Sequence, residues 1–321
     1  MATEERKIDV RPTRSILSMN ETQKKVRLWL FGSMESLVSL AARANGEERV
    51  KRILDAYSVA CSQDSKLLEC SMETHYQFVA LAVMLDLVPG KSGGGLLWPV
   101  AFNGRMTPII GANGYRHLYQ RVEPRHIITA RVVLRGEQDR VTVNDQTGEV
   151  VHGWAGWDLD EGVDQVIGAY AQIHDSETGK FIVGSRPIRM MTLLARARAS
   201  QSYVQKQEIA NPSQWWTWFR AGSAWASWPI EQMQKTATRF LFQRCGIALQ
   251  DTQLQMALTV ESGSDAGEEI KDIVPIELPQ DIPEVHYEPA VAGDRQVEIG
   301  RAVQYDNTEE PLIHEDTQTE D

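Results

Sequence analysis

Leu96–Arg121 reads LLWPVAFNGRMTPIIGANGYRHLYQR, and the change of period inside it decides the fold. LLWPVAF and RMTPII are short apolar runs joined by Asn103-Gly104. That dipeptide supplies the positive φ angles of a type I′ turn, so the runs read as a β-hairpin. ANGYRHLYQR then reads as a short helix, decorated by Tyr115, Arg116 and Arg121.

On the N-terminal side the pattern is helical. From Glu47, the residues Val50, Ile53, Leu54, Tyr57 and Cys61 recur at spacings of three and four. A second helix starts at Ser71, a good N-cap, and runs through Phe78, Leu81, Ala82 and Leu85 to the stop at Pro89-Gly90. Residues 1–46 hold one amphipathic stretch, Val26–Leu40, expected as a loosely joined helical arm that contacts other subunits.

On the C-terminal side, Ile127–Leu134, Arg140–Val143, Val166–Ile173 and Phe181–Ser185 read as strands, the last two separated by the turn HDSETGK. Helices return in RPIRMMTLLARARASQSYVQ and PIEQMQKTATRFLFQRCG, with the tryptophan-rich NPSQWWTWFRAGSAWASW between them. The expected class is α+β: a small antiparallel meander sheet flanked by helices, with residues 47–255 as the core. Residues 256–321 are acidic, dotted with proline and poor in apolar periodicity, and are expected to be largely disordered.

The chain has 321 residues, 42% of them apolar, and a formal net charge of −11. That charge divides unevenly. Residues 261–321 carry 18 acidic and 3 basic residues, which leaves 26 acidic and 30 basic in residues 1–260. A mildly basic body with a strongly acidic tail suits a nucleic-acid binder that the net charge alone would argue against. The tail reads either as a solubilising extension or as a tether that competes with DNA or recruits partners. The opening MATEERKIDV lacks a signal peptide's apolar region, and no run approaches the roughly 20 apolar residues that cross a bilayer. A cytoplasmic protein is expected. Cys61, Cys70 and Cys245 lack CxxC or metal-ligand spacing and read as buried, reduced thiols.

Catalytic motifs are incomplete. Gly90-Lys91-Ser92 resembles the end of a phosphate-binding loop, but Leu85 stands where the pattern needs glycine, and Gly93-Gly94-Gly95 follow instead of a helix. The better reading is a glycine loop carrying one cation, Lys91. Asp158, Asp160, Glu161 and Asp164 lack the spacing of a calcium loop. No serine or cysteine has a recognisable histidine partner. Neither a catalytic residue nor a metal ligand is expected.

Cations and rings are more informative. Arg186, Arg189 and Arg196 would share one helical face, with Arg198 beside them. Lys235 and Arg239 stand one turn apart, opposite Met233, Ala237, Phe240 and Leu241. A single-strand groove needs cations for phosphates and flat rings for bases. Arginines on an amphipathic helix are more often a solvated face. The five tryptophans from Trp215 to Trp228 are more often core or subunit contact than a stacking platform.

From about Lys66 to about Gly246 the sequence resembles the RecT single-strand annealing proteins of phages. The resemblance rests on KLLECSMETHYQFVALAVMLDLVPG, on VAFNGRMTPIIGANGYRHLYQR with its "IGxxGY", on IGAYAQIHDSETGKFIVGS, and on WPIEQMQKTATRFLFQRCG, in that order and spacing. It implies ATP-independent DNA annealing by rings or filaments of the protein. It also implies a phage exonuclease partner, and contact with host single-strand-binding protein. It carries DNA contact onto Tyr115, Arg116, Arg121, Lys235 and Arg239. The segments AGSAWASW and Arg135–Asp164 depart from the family pattern. An oligomeric scaffold and a metal-dependent nuclease are the rival functions, and any effect of magnesium is open.

Overall fold

The computed structural model describes residues 21–282, apart from 42–44, 154–161, 186, 200–218, 220–222, 245–250, 267 and 280; of 198, 199, 265 and 266 only the backbone is described. Contacts divide the chain into Met1–Val285 and His286–Asp321, and the second unit lies outside the described residues. No described helix is long and apolar enough to cross a membrane.

Helices α1 (Glu21–Gly32), α2 (Met34–Ser39) and α3 (Gly46–Gln63) form the N-terminal layer. The arm expected to be loosely joined is not: Val26, Leu30 and Leu37 are buried, and Arg27 pairs with Asp55 of α3 at 2.7 Å. An amphipathic helix this short is marginal alone, and the apolar face of α3 gives it a partner. Helix α4 (Met72–Leu85) follows Ser71 as expected and is central, with both its faces buried. It ends at Asp86, whose φ of 52° is left-handed.

Two buried aromatic residues and a histidine join α3 to α4. Tyr57 stacks on Phe78 at 5.2 Å, and its hydroxyl meets Nδ1 of His75. Burial pushes the His75 pKa down to about 4, so the ring is neutral in the folded protein. An unfolded chain takes up the proton near the ordinary value of about 6.5, so stability present above that pH is lost as pH falls toward 4. We expect the unfolding free energy to drop by about 2–3 kcal/mol between pH 7.5 and 4.5 through this group. His75→Gln should flatten that part of the profile in urea titrations; an unchanged profile would contradict the assignment. Cys61 and Cys70 are free and buried, as expected, and burial raises their thiols to about 12 and about 11.

Strands β1 (Leu97–Phe102) and β2 (Arg105–Ile110) form the expected hairpin, with φ of 51° at Asn103 and 74° at Gly104. Helix α5 (Ala112–Val122) follows. Its motif glycines have a steric reason. A Cβ on Gly111 would stand 2.0 Å from the Gly95 carbonyl oxygen, and one on Gly114 would stand 2.2 Å from that of Leu96. Only glycine lets α5 start against that backbone and turn Tyr115 inward.

The main sheet pairs β3 (His126–Leu134) with β6 (Val166–Asp175), and β6 with both β7 (Phe181–Gly184) and β8 (Ile188–Arg189), all antiparallel. A separate hairpin of β4 (Val141–Val143) and β5 (Val150–His152) packs Val150 against Val133 and Tyr170. Helices α6 (Met190–Ala199), α7 (Ala224–Ser227) and α8 (Pro229–Arg244) complete the expected pattern of small antiparallel sheets flanked by helices. One helix is shorter than its sequence suggests. Arg189 lies in β8, opposite Gly168, and not on the face of a helix that carries Arg196. A Cβ on Gly168 would stand 2.7 Å from the Ile188 carbonyl oxygen, so that glycine admits a strand where periodicity suggested a turn of helix.

The core does not stop at Gln255. Helix α9 (Thr252–Ala266) buries Leu254, Ala257, Leu258, Val260 and Glu261, and α10 (Ile270–Ile273) buries Ile270. Apolar residues at 254, 257 and 258 form a helical stripe. Gln253 fixes the start of α9 by donating to the Met84 carbonyl oxygen at 2.7 Å.

Candidate nucleic-acid interface

The hairpin, the α7–α8 corner and the α9–α10 segment enclose a groove of about 810 Å³. Strand alternation explains the contribution of β2: Met106 and Ile110 turn into the core, while Arg105 and Thr107 lie on the opposite side. Lys66 lies on the groove, and so does Arg196 of α6. Lys235 and Arg239 of α8 add two further cations. Asp64, Glu261, Glu268 and Glu269 oppose these five basic residues.

Aromatic rings interleave with the charges. Phe102 at the hairpin tip and Trp228 at the start of α8 line the groove and are 39% and 57% exposed, enough to meet a flat ligand face. Trp225 also lines it, but is buried and lies 5.6 Å from the ring of Phe219, so it belongs mainly to the core. Trp215, Trp216 and Trp218 lie outside the described residues.

Lys235 and Arg239 sit one turn apart, as read from the sequence, yet both are buried. Met233, Ala237 and Leu241 face the interior on one side of α8, and side chains of α9 meet Lys235 and Arg239 on the other. Lys235 Nζ is paired with Glu261 Oε1, and Arg239 Nη1 lies 3.6 Å from the same oxygen. Arg239 also donates to the Ser262 hydroxyl at 3.2 Å. Tyr115, fully buried, donates its hydroxyl proton to Glu261 Oε2. Burial alone would raise the Glu261 carboxyl. The charges of Lys235 and Arg239, with hydrogen bonds from Lys235 and Tyr115, outweigh it and hold the group below the usual carboxylate value. Burial and the neighbouring carboxylate push Tyr115 well above the ordinary tyrosine value, so it remains a donor.

The other residues singled out from the sequence are dispersed. Arg121 caps α4: its guanidinium donates to the Leu85 carbonyl oxygen at 2.9 and 3.0 Å and lies 3.4 Å from the Asp86 carboxylate. It answers carbonyls that the end of a helix leaves without partners. Arg116 is half-buried and donates to Asn113 at 3.4 Å. Lys91 is exposed on a short 3₁₀ turn (Lys91–Gly93) away from the groove lining, and Arg189 is exposed in β8. Arg186 and the side chain of Arg198 lie outside the described residues. Periodicity does not point to Lys66, Arg105, Phe102 or Trp228 individually. Alternation about Asn103-Gly104 is the signal that could have found Arg105.

Among the described residues, no group of three or more His, Cys, Asp or Glu side chains could hold a metal ion. A comparison with curated proteins gave no match. The RecT family model matches residues 54–274, a span that contains the whole groove lining from Asp64 to Ile270. That match covers more than half of the chain, which belongs to the RecT family of phage-type single-strand annealing and recombination proteins.

Proposed function

We propose that the groove holds one DNA strand and that the protein anneals a complementary strand to it without nucleotide hydrolysis, as rings or filaments of many copies. The observation that carries this reading is the set of cations, Lys66, Arg105, Arg196, Lys235 and Arg239, interleaved with the accessible rings of Phe102 and Trp228 inside the matched span. Cations neutralise phosphates without regard to sequence, and every base has a π-face for a ring to meet. A strand held by its phosphates keeps its pairing edges available to a second strand. The duplex supplies about 1.4 kcal/mol of stacking per step, so pairing itself drives the reaction.

Neighbouring copies would extend the bound strand, with the N-terminal arm a candidate contact between them. A phage exonuclease that exposes the strand and the host single-strand-binding protein are the expected partners. The acidic residues beyond Ile282 would compete with DNA or recruit those partners.

Salt titrations of labelled single-stranded DNA test the groove. Each phosphate neutralised contributes about 0.7 to the slope of log K against log salt, so Lys66→Ala/Arg105→Ala should flatten it by about 1.4. At about 0.1 M salt that corresponds to roughly 25-fold weaker binding. An unchanged slope would place the DNA elsewhere.

A further inference from the structure

We infer that Glu261 is a built-in counter-ion that offsets one of the two groove charges a DNA phosphate would otherwise meet, and that it sets how tightly the groove holds a strand. The inference rests on the reading of the groove as the DNA site. Glu261 is the meeting point of two cations and a hydroxyl: Lys235 and Arg239 approach one of its oxygens, and Tyr115 donates to the other. That is a donor set suited to a phosphate anion, which also seeks cations and an O–H donor. All three charged members line the groove, so the carboxylate competes for the same cations from inside the site.

The carboxylate is delivered by a fixed element. Leu254, Ala257 and Leu258 bury the face of α9 that leads to Glu261, and Gln253 ties its start to the end of α4. A strand in the groove therefore feels the charges of the buried Lys235 and Arg239 with Glu261 still present. The cluster of Lys235, Arg239 and Glu261 contributes one net positive charge instead of two. A weaker hold suits an annealing protein, since a strand gripped too tightly would leave the duplex slowly. Two more carboxylates act in the same direction at the hairpin: Glu269 pairs with Arg105 at 2.7 Å, and Glu268 also lines the groove.

Glu261→Gln tests this, because glutamine keeps the size and removes the charge; its one acceptor oxygen serves either Lys235 or Tyr115, since the amide nitrogen only donates. Binding of labelled single-stranded DNA to the full-length protein is measured from about 0.05 to 0.5 M salt, with Arg105→Ala alongside. Neutralising one more phosphate should steepen the slope by about 0.7 and tighten binding roughly fivefold at about 0.1 M salt. A folded Glu261→Gln with wild-type affinity and slope would overturn the inference and leave Glu261 a structural partner only. If Glu261→Gln does not fold, Glu261→Asp decides: it withdraws the carboxylate from Lys235 by one methylene. Tighter binding by that variant supports the inference, and unchanged or weaker binding overturns it. Should Arg105→Ala leave binding unaltered, it is the groove assignment that fails.

Discussion

Lys235→Ala/Arg239→Ala lowers the unfolding free energy by about 3–5 kcal/mol, the cost of leaving a buried carboxylate without its cations. In the wild-type protein Glu261 is buried and held below the ordinary carboxylate value by those two residues. With both removed, only the hydrogen bond from Tyr115 opposes burial, and the carboxyl is raised instead. The sign of the pH dependence then reverses. Wild-type stability through Glu261 is present above about pH 4.5 and lost as pH falls below it, whereas in the double variant the Glu261 contribution rises on acidification as the buried group takes up a proton, read against the His75 loss that every variant shares. Adding Glu261→Gln should recover most of the loss. Guanidinium unfolding of the three variants at pH 7 and pH 5 checks this. A double variant within about 1 kcal/mol of wild type at pH 7 would mean that the cluster is solvated rather than buried. The same argument makes this double variant a poor probe of DNA contact, since it weakens the fold and the groove together.

Trp228→Ala should weaken single-stranded DNA binding by about 1–3 kcal/mol, the value of one base stacked on an aromatic ring. The ring is 57% exposed and lines the groove, so truncation leaves no cavity in the core. Thermal stability should therefore stay within about 0.5 kcal/mol of wild type. Trp225→Ala makes the contrast: that ring is buried against Phe219, and its loss should cost about 3–5 kcal/mol of stability. Fluorescence titration with labelled oligonucleotides, paired with thermal unfolding, separates the two residues. Equal DNA binding by Trp228→Ala and wild type would remove the ring from the interface.

Much of the fold is legible in the sequence wherever a local signal is strong. Asn103-Gly104 dictates the hairpin because few other dipeptides tolerate two positive φ angles. The three-and-four spacing in α3 and the Ser71 cap of α4 are equally local. β8 is not legible, because its extended form depends on Gly168, far upstream in the chain, admitting its backbone. Helix α9 escapes notice for a different reason. Its apolar stripe is short and ends in Glu261, and a charged residue in an acidic tract reads as solvated unless its partners are known.

The site is legible to the same extent. Periodicity places Lys235 and Arg239 on one face of α8, and that placement is correct. Whether that face meets water or a carboxylate is decided by α9, which no pattern within α8 reveals. Arg121 shows the same limit: its spacing fits a basic surface, yet the nearby end of α4 takes its guanidinium. The boundary also changes the design of a tail deletion. A truncation from Glu261 would remove part of the core, so the acidic tail is best tested by deleting residues 283–321.

The most direct measurement follows duplex formation between two complementary, fluorescently labelled oligonucleotides, without nucleotide, in the presence of wild-type protein or Lys66→Ala/Arg105→Ala. Acceleration by the wild type that the variant largely loses while remaining folded is the predicted result. No acceleration by the wild type, or equal acceleration by both, would contradict an annealing groove between the hairpin and α8 and favour a scaffold role or a different DNA surface.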